Sequence, residues 1–341
     1  MHPLDALARI DAATLGTALP PAHARAAWAL AIEGARSVRT DLVLPGPAPR
    51  AVALVASANV FTAPIEWVWA LSARGVPVVL KSARGLAAVG EALAAAFPSV
   101  EARDWRGGDL DAEAAALAEC DVAMVFGAAE TIGRVRARSP IPVLGFGPRF
   151  GVALVDGVGA DQAAGLARDH ALYDGRGCMS PAAVFSAQAV ELDRLAAALV
   201  EADERLPAGE FTPSEAAGRR SLAMLARIEG RVLEVGSWVV AVLPAAHVRP
   251  RGLPRVITVH EGVAPAAAVA PWREELGTVA LPGATESDLR AEPALAEALG
   301  LEGLPPARVC AVGEMQCPPG GRRLHDGVSV LPALWHAAAN R

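Results

Sequence analysis

The chain has 341 residues, 31 of them basic and 37 acidic, for a formal net charge of −6 with the two signs interspersed along its length. That balance lacks the basic stripe of a nucleic-acid-binding protein, and a chain of this length buries a core without cross-links. Hydrophobic residues make up 53%, an excess carried by alanine rather than by the seven Trp, seven Phe and one Tyr, so the apolar content reads as tightly packed helix. The most apolar stretch, Ala51 to Leu71, is interrupted by Ser57, Asn59, Pro64 and Glu66. A spanning helix needs about 20 predominantly apolar residues, so no membrane span is expected. Asp5, Arg9 and Asp11 stand where a secretory peptide needs an unbroken apolar core, and a cytoplasmic location is expected. Four cysteines, Cys120, Cys178, Cys310 and Cys317, form no CxxC pair and no metal-ligand spacing, which predicts reduced thiols and no metal.

Two helical patterns, Pro3 to Ile10 and Pro21 to Ser37, precede a regular alternation. Strands are predicted at Arg50 to Val60, Val76 to Lys81, Val100 to Trp105, Asp121 to Phe126 and Ile141 to Phe146. Helices are predicted between them at Pro64 to Arg74, Gly85 to Phe97, Asp111 to Glu119 and Glu130 to Arg138. Strands that are continuously apolar, rather than alternating, imply a parallel sheet covered on both faces, with ligands at its carboxyl edge. From Gly151 a second α/β region follows: strand Val152 to Val155, helix Asp161 to Leu172, strand Ala182 to Ala187, and helices Glu191 to Glu204 and Pro213 to Ile228. Arg231 to Leu243, Arg255 to His260 and Gly277 to Leu281 read as β-rich, Glu286 to Leu299 as a helix, and the remainder as a Pro/Gly-rich approach to the end.

Three constellations could carry chemistry. Gly145 to Gly151 has the glycines of a dinucleotide loop, but such a loop needs a helix opening directly after them. Here Pro148 and a predicted strand follow, so the segment reads as a tight connection between domains. Cys178 lies in Tyr173-Asp174-Gly175-Arg176-Gly177-Cys178-Met179-Ser180-Pro181. Glycines there admit a ligand close to the backbone and Arg176 would favour a thiolate, which fits a nucleophile; a buried structural cysteine fits the same pattern. Ala56 to Pro64, Lys81 to Arg84 and Phe126 to Glu130 each follow a predicted parallel strand, where ligand contacts gather and where turn chemistry also selects Asn, Lys and Gly. His170, eight residues before Cys178, reads as structural, while His260 and His325 are either structural or proton-transfer partners.

Taken in order, these residues resemble the aldehyde dehydrogenase superfamily, and within it the LuxC-type acyl-CoA reductases, from about residue 50 to the end of the chain. The resemblance implies a two-domain α/β fold with the active site in the cleft. Residues 1–150, with about 320–341, would form the nicotinamide cofactor domain, and 151–319 the catalytic domain. Cys178 matches the catalytic cysteine of the superfamily, and Asn59, ahead of Pro64, the asparagine of its oxyanion hole. Lys81 and Ser82 would hold the adenosine ribose, and Gly127 and Glu130 match the segment that passes the cofactor pyrophosphate. Arg308 to Gly313 and His325-Asp326-Gly327 resemble the closing segment of the LuxC group.

Oxidising relatives carry a water-activating glutamate where this chain has no acid between Gly145 and Val155. A thioester on Cys178 would then be spared hydrolysis, which suits reduction of an acyl thioester, or the same chemistry reversed in a CoA-acylating aldehyde dehydrogenase. Lys81 and Arg84 present two cations without a nearby acid in the same segment, implying NADPH over NADH; the other reading of Arg84 is a solvated start to the next helix. The expected substrates are acyl-CoA or acyl-carrier-protein thioesters, the expected partner an acyl-activating enzyme, and the expected assembly a homo-oligomer. Two other functions stand beside this one: a cysteine acyltransferase or thioesterase without hydride transfer, and a non-catalytic family member acting as a complex subunit.

Overall fold

The computed structural model describes residues 1–38, 43–44, 46–244, 252–298, 307–317, 324–325 and 328–340. The chain divides into two compact units, Met1–Pro148 with Pro319–Arg341, and Arg149–Pro318.

The first unit opens with α1 (Pro3–Leu7) and α2 (Pro21–Arg36). Both start on proline, whose missing N–H is one that the first turn of a helix leaves unpaired anyway. The buried Trp28 indole ties them together by donating to the Leu7 carbonyl at 2.9 Å. The alternation follows: β1 (Val52–Val55), α3 (Ala63–Ser72), β2 (Val78–Lys81), α4 (Ala87–Ala96), β3 (Val100–Arg103), α5 (Leu110–Ala118), β4 (Val122–Phe126), α6 (Ala129–Arg138) and β5 (Val143–Phe146). These strands pair in the order β3-β2-β1-β4-β5, all parallel. All five residues of β4 are buried, as a central strand covered on both faces requires. Ala53, Val79, Ala123 and Val125 pack with Ala116 and Leu117 of α5 and Ile132 and Val135 of α6. The apolar run from Arg50 to Val60 yields only four strand residues, because beyond Ala56, whose N–H reaches the Lys81 carbonyl at 2.9 Å, the chain turns into α3.

The second unit contains β6 (Phe150–Val155), α7 (Ala160–Ala171), β7 (Pro181–Ser186), α8 (Leu192–Arg205), α9 (Pro213–Glu229), β8 (Arg231–Val235), β9 (Trp238–Val242), β10 (Val256–Glu261), α10 (Pro265–Val269), β11 (Leu276–Leu281), β12 (Ser287–Asp288), α11 (Pro293–Ala298) and β13 (Arg308–Ala311). Its eight-stranded sheet runs β12-β13-β11-β6-β7-β10-β9-β8. The six inner strands are parallel, and β8 and β12 close the two edges antiparallel. Side chains alternate across it. Ala153, Val155, Val184 and Val259 face α7 and α8, whereas Val152, Leu154, Phe185 and Val279 face the opposite core. The helix predicted from Glu286 to Leu299 is divided, since Ser287 and Asp288 pair with β13 and α11 restarts on Pro293, a residue tolerated at a helix start but not inside it; Leu299 lies outside the described residues.

After β13 the chain returns to the first unit as β14 (Leu324–His325), β15 (Val328–Ser329) and α12 (Val330–Ala339). The apolar face of α12, with Leu331, Leu334 and Trp335 buried, packs beside β4. No helix was expected there from the sequence pattern. Among the described residues no helix is long and apolar enough to cross a membrane.

Backbone proximity fixes one glycine of the second unit. A Cβ on Gly230, between α9 and β8, would sit 2.0 Å from the Val242 carbonyl oxygen. Gly230→Ala therefore forces β9 away from the end of α9 and should cost about 1–3 kcal/mol. Urea unfolding of the variant checks this, and an unchanged midpoint would count against the packing described.

Candidate active site

In the first unit the chain runs β1 to β2 to β3 in one direction and then places β4 and β5 on the other side of β1. That reversal is a topological switch point, where doubly wound sheets bind ligands beyond the carboxyl ends of their strands. Register aligns Val55 with Lys81 on one side and with Val125 on the other. The segments after β1, β2 and β4 therefore leave the same sheet edge from neighbouring strands, and they carry Asn59, then Ser82 to Arg84, then Gly127 to Glu130.

Each of these residues has a local reason for its place. Asn59 is exposed in the turn leading to α3. Lys81 ends β2 half-buried, its Nζ donating to the Ser82 carbonyl at 3.2 Å and lying 5.4 Å from the centroid of Trp105. Ser82 is buried beneath α4, where a Cβ at Gly90 would come within 2.5 Å of its Oγ. Arg84 is exposed on a turn closed by the Leu86 N–H to the Ala83 carbonyl at 3.0 Å, with Gly85 at φ 82 as its third residue, the conformation a type II turn reserves for glycine. The N-cap of α4 is Leu86, with no side-chain cap, so Arg84 does not cap that helix. Gly127 bonds through its N–H to the Phe146 carbonyl at 3.2 Å. A Cβ there would meet only Thr131 at an ordinary 3.6 Å, so packing inside the unit does not demand glycine at 127. Just beyond it α6 starts at Ala129 with no side-chain cap, and Glu130 is exposed in its first turn. The glycine segment Gly145 to Gly151 leads into β6, not into a helix.

In the second unit Cys178 sits at the second position of a turn from Gly177 to Ser180, closed by the Ser180 N–H to the Gly177 carbonyl at 3.0 Å, immediately before β7. Of the four cysteines it is the exposed one: Cys120 and Cys310 are buried and Cys317 is intermediate. Burial pushes the Cys310 thiol up to about 12 and the Cys317 thiol up to about 11, which leaves both protonated at neutral pH. The sequence expectation that Arg176 promotes a thiolate is corrected here. Its guanidinium is met by Glu215 at 2.9 and 3.2 Å, by Asp174 at 3.0 Å and by the Glu210 carbonyl at 3.1 Å, so its charge is compensated by two carboxylates.

His170 and His260 of the second unit are interior. His170 on α7 is buried, and desolvation, reinforced by the charge of Arg255, lowers its pKa to about 3, so it is neutral. His260 is fully buried in β10 with its Nδ1 2.9 Å from the Leu243 carbonyl, the geometry of an Nδ1–H donor. His325 lies on β14 and its neighbour Asp326 lies outside the described residues. Among the described residues no group of three or more His, Cys, Asp or Glu gathers in a metal-binding arrangement.

The family of acyl-CoA reductases (LuxC) matches residues 94–337. The chain belongs to the LuxC acyl-CoA reductase family. That membership places its chemistry among aldehyde-forming reductions of acyl groups. No curated protein matches the chain. Solved structures similar to it are aldehyde dehydrogenases. Aldehyde dehydrogenase 21 of Physcomitrella patens, in complex with the product succinate, has a TM-score of 0.62 at 15% identity over 95% of this chain and 78% of its own. The 1-pyrroline-5-carboxylate dehydrogenase of Thermus thermophilus has 0.60 at 16%, over 98% and 77%. The NADP-dependent glyceraldehyde-3-phosphate dehydrogenase of Bacillus halodurans, complexed with NADP, has 0.59 at 18%, over 87% and 74%. This LuxC-family chain has the aldehyde dehydrogenase-like fold, with a parallel-sheet unit and a mixed-sheet unit.

Sequence reasoning missed how the cysteine turn of this LuxC-family protein is anchored. Gln316, just after β13, donates from Nε2 to Ser180 Oγ at 2.9 Å and to the Asp169 carbonyl at 2.8 Å. Its own segment is held because buried Asp169 accepts the N–H groups of Gly313 at 2.6 Å and Met315 at 3.0 Å. Burial nevertheless pushes the Asp169 carboxyl up to about 7, the two N–H donors opposing it only in part. No local pattern announces these contacts, which join residues 136 to 147 positions apart.

An unfolded aspartate ionises near pH ~3.9. Between that pH and about 7 the folded protein keeps a proton on Asp169 that the unfolded chain has lost, so this group's contribution to stability falls as pH rises and levels off above its folded value. Asp169→Asn removes the titration. Its unfolding midpoint, measured against wild type from acid to neutral pH, should move in the variant's favour as pH increases; a constant difference would show that Asp169 ionises normally.

Proposed function

We propose that the protein reduces an acyl thioester, carried on coenzyme A or an acyl-carrier protein, to the aldehyde with NADPH, through an acyl-enzyme on Cys178. The observation that carries this reading is the selective exposure of Cys178 on a closed turn while the other cysteines are buried, half-buried or held as thiols. Family membership supplies the substrate class.

The Cys178 thiolate attacks the thioester carbonyl carbon; the new C–S bond forms, the bond to the carrier sulfur breaks, and the carrier leaves as a thiolate that takes up a proton. NADPH, when bound, supplies the hydride that reduces the acyl carbon. The resulting thiohemiacetal alkoxide on Cys178 collapses, its oxygen re-forming the carbonyl as the C–S bond breaks, which frees the aldehyde and restores the thiolate. The Asn59 amide and the backbone N–H of Cys178 are assigned to the developing oxyanion, an interaction worth about 3–4 kcal/mol per donor. With no acid between Gly145 and Val155, no dedicated base is offered to water at the thioester.

The carboxyl edge of the five-stranded sheet fits a dinucleotide in its donor chemistry. Lys81 and Ser82 are assigned to the adenosine ribose and Arg84, exposed beside them, to the 2′-phosphate. Gly127, a glycine that its own unit does not demand, and the uncapped start of α6 with Glu130 are assigned to the pyrophosphate segment. The NADP complex of the similar Bacillus halodurans enzyme supports the choice of nicotinamide.

The test is NADPH consumption with a panel of acyl-CoAs, with aldehyde identified as product. Turnover should be lost in Cys178→Ala and should fall about 100- to 1,000-fold in kcat for Asn59→Ala. Acylation of Cys178 seen by intact-mass spectrometry without NADPH consumption would instead identify an acyltransferase or thioesterase, and neither signal would leave a non-catalytic subunit. For the cofactor, Arg84→Glu should shift the kcat/KM ratio of NADPH to NADH by about tenfold or more toward NADH, as the loss of about 1.4 kcal/mol of pairing implies; an unchanged ratio removes Arg84 from the phosphate site.

A further inference from the structure

Among the described residues only two other than glycine have a left-handed backbone, Asp174 and Arg255, each at φ 55, and they are the two partners of one buried ion pair. Left-handed non-glycine residues are strained and persist where their surroundings over-determine them, which is characteristic of functional sites.

Asp174 is the left-handed residue that ends α7. The Gly175 N–H bonds back to the His170 carbonyl at 2.7 Å and the Asp174 N–H to the Ala171 carbonyl at 2.9 Å, a Schellman pair that normally has glycine at this position. Aspartate stands there instead, with its carboxylate fully buried. It accepts from Arg255 Nε, from Arg176 Nη1 at 3.0 Å and from the Gly209 N–H at 2.9 Å. Arg255, also fully buried, further donates to Asp203 at 2.9 Å and to the Leu206 carbonyl, and lies 4.4 Å over the Trp238 ring. Its backbone N–H bonds to the Asp174 carbonyl at 3.2 Å. Asp203 in turn holds Ser237 at 2.7 and 2.9 Å.

The segment so fixed leads straight into the nucleophile turn. Arg176 clamps the next residues to Glu215 at the start of α9, and a Cβ at Gly177 would already stand 3.3 Å from Tyr173. From the other side Gln316 holds Ser180. A buried ion pair gives little net stability over apolar packing. What this one supplies is a backbone trajectory, and Cys178 stands at its exposed apex.

We infer that Arg255, acting through Asp174, is a positioning residue for Cys178. The inference rests on the proposed role of Cys178 as nucleophile. Two variants test it. Asp174→Asn keeps a side chain that tolerates the left-handed conformation but removes the charge, and Arg255→Met removes the guanidinium, with Arg255→Lys as the conservative partner. Asp174→Asn should lower kcat about 100-fold, the scale of a displacement of roughly 1 Å at the reacting atom, with KM for acyl-CoA changed less than about twofold. Arg255→Lys should recover part of the kcat lost in Arg255→Met; if Arg255→Met fails to fold, Asp174→Asn alone decides. A kcat within about twofold of wild type in folded Asp174→Asn, or a rise confined to KM, overturns the inference. Amide exchange needs no substrate and separates this failure from failure of the reductase reading. If wild type turns over no acyl thioester, the Gly175, Arg176 and Ser180 amides should still exchange about tenfold faster in Asp174→Asn while the α9 amides do not, and equal protection overturns the positioning role.

Discussion

A guanidinium stripped of water must find partners on every side, and in the second unit Arg255 finds them on three separate pieces of chain. Asp174 at the end of α7, Asp203 on α8 with the Leu206 carbonyl just after it, and the Trp238 face on β9 all meet at one cation, whose own strained backbone leads into β10. Removing one member would strand a buried charge, a far larger penalty than the pair's own net contribution. The cluster therefore acts less as a source of stability than as a constraint on where these elements can be, and the turn bearing Cys178 inherits that constraint.

The first unit solves its positional problem by a different route. There the sheet is parallel with an apolar centre, no ion cluster lies at that centre among the described residues, and place is set by strand register. Aligning Val55 with both Lys81 and Val125 brings three strand ends to one edge, and each end carries a short segment of polar residues or glycine. The residues assigned to a cofactor owe their proximity to apolar side chains two layers away. One unit thus uses electrostatics to place a single atom, and the other uses hydrophobic register to lay out an extended surface.

Much of this was legible in the sequence, and the reason is periodicity. Apart from the edge strand β3, Val-Glu-Ala-Arg, the strands of the first sheet are short, mostly apolar and separated by helices, so element order and the carboxyl-edge location of Asn59, Lys81 and Gly127 follow from local pattern alone. Legibility failed where a residue's meaning depends on a distant partner. Arg176 reads locally as an activator of Cys178, but Glu215, 39 positions on, claims it. Arg255 has no local signature at all, and its partner Asp174 is 81 positions away. The divided helix after Glu286 shows a third kind of failure, because Pro293 is compatible with helix as a beginning and incompatible as a middle, and only the pairing of Ser287 and Asp288 with β13 decides between them.

The return of the chain to its first unit has a consequence for biosynthesis. β4 ends at Phe126, whereas α12, the helix that packs beside it, begins at Val330. At about 5–20 residues per second a ribosome needs roughly 10–40 s to make the intervening chain. For that interval the nascent first unit exposes part of an apolar sheet while the whole of the second unit emerges and folds. Until α12 is made, the apolar surface it covers is open to transient association, so its burial is among the last steps of folding during synthesis.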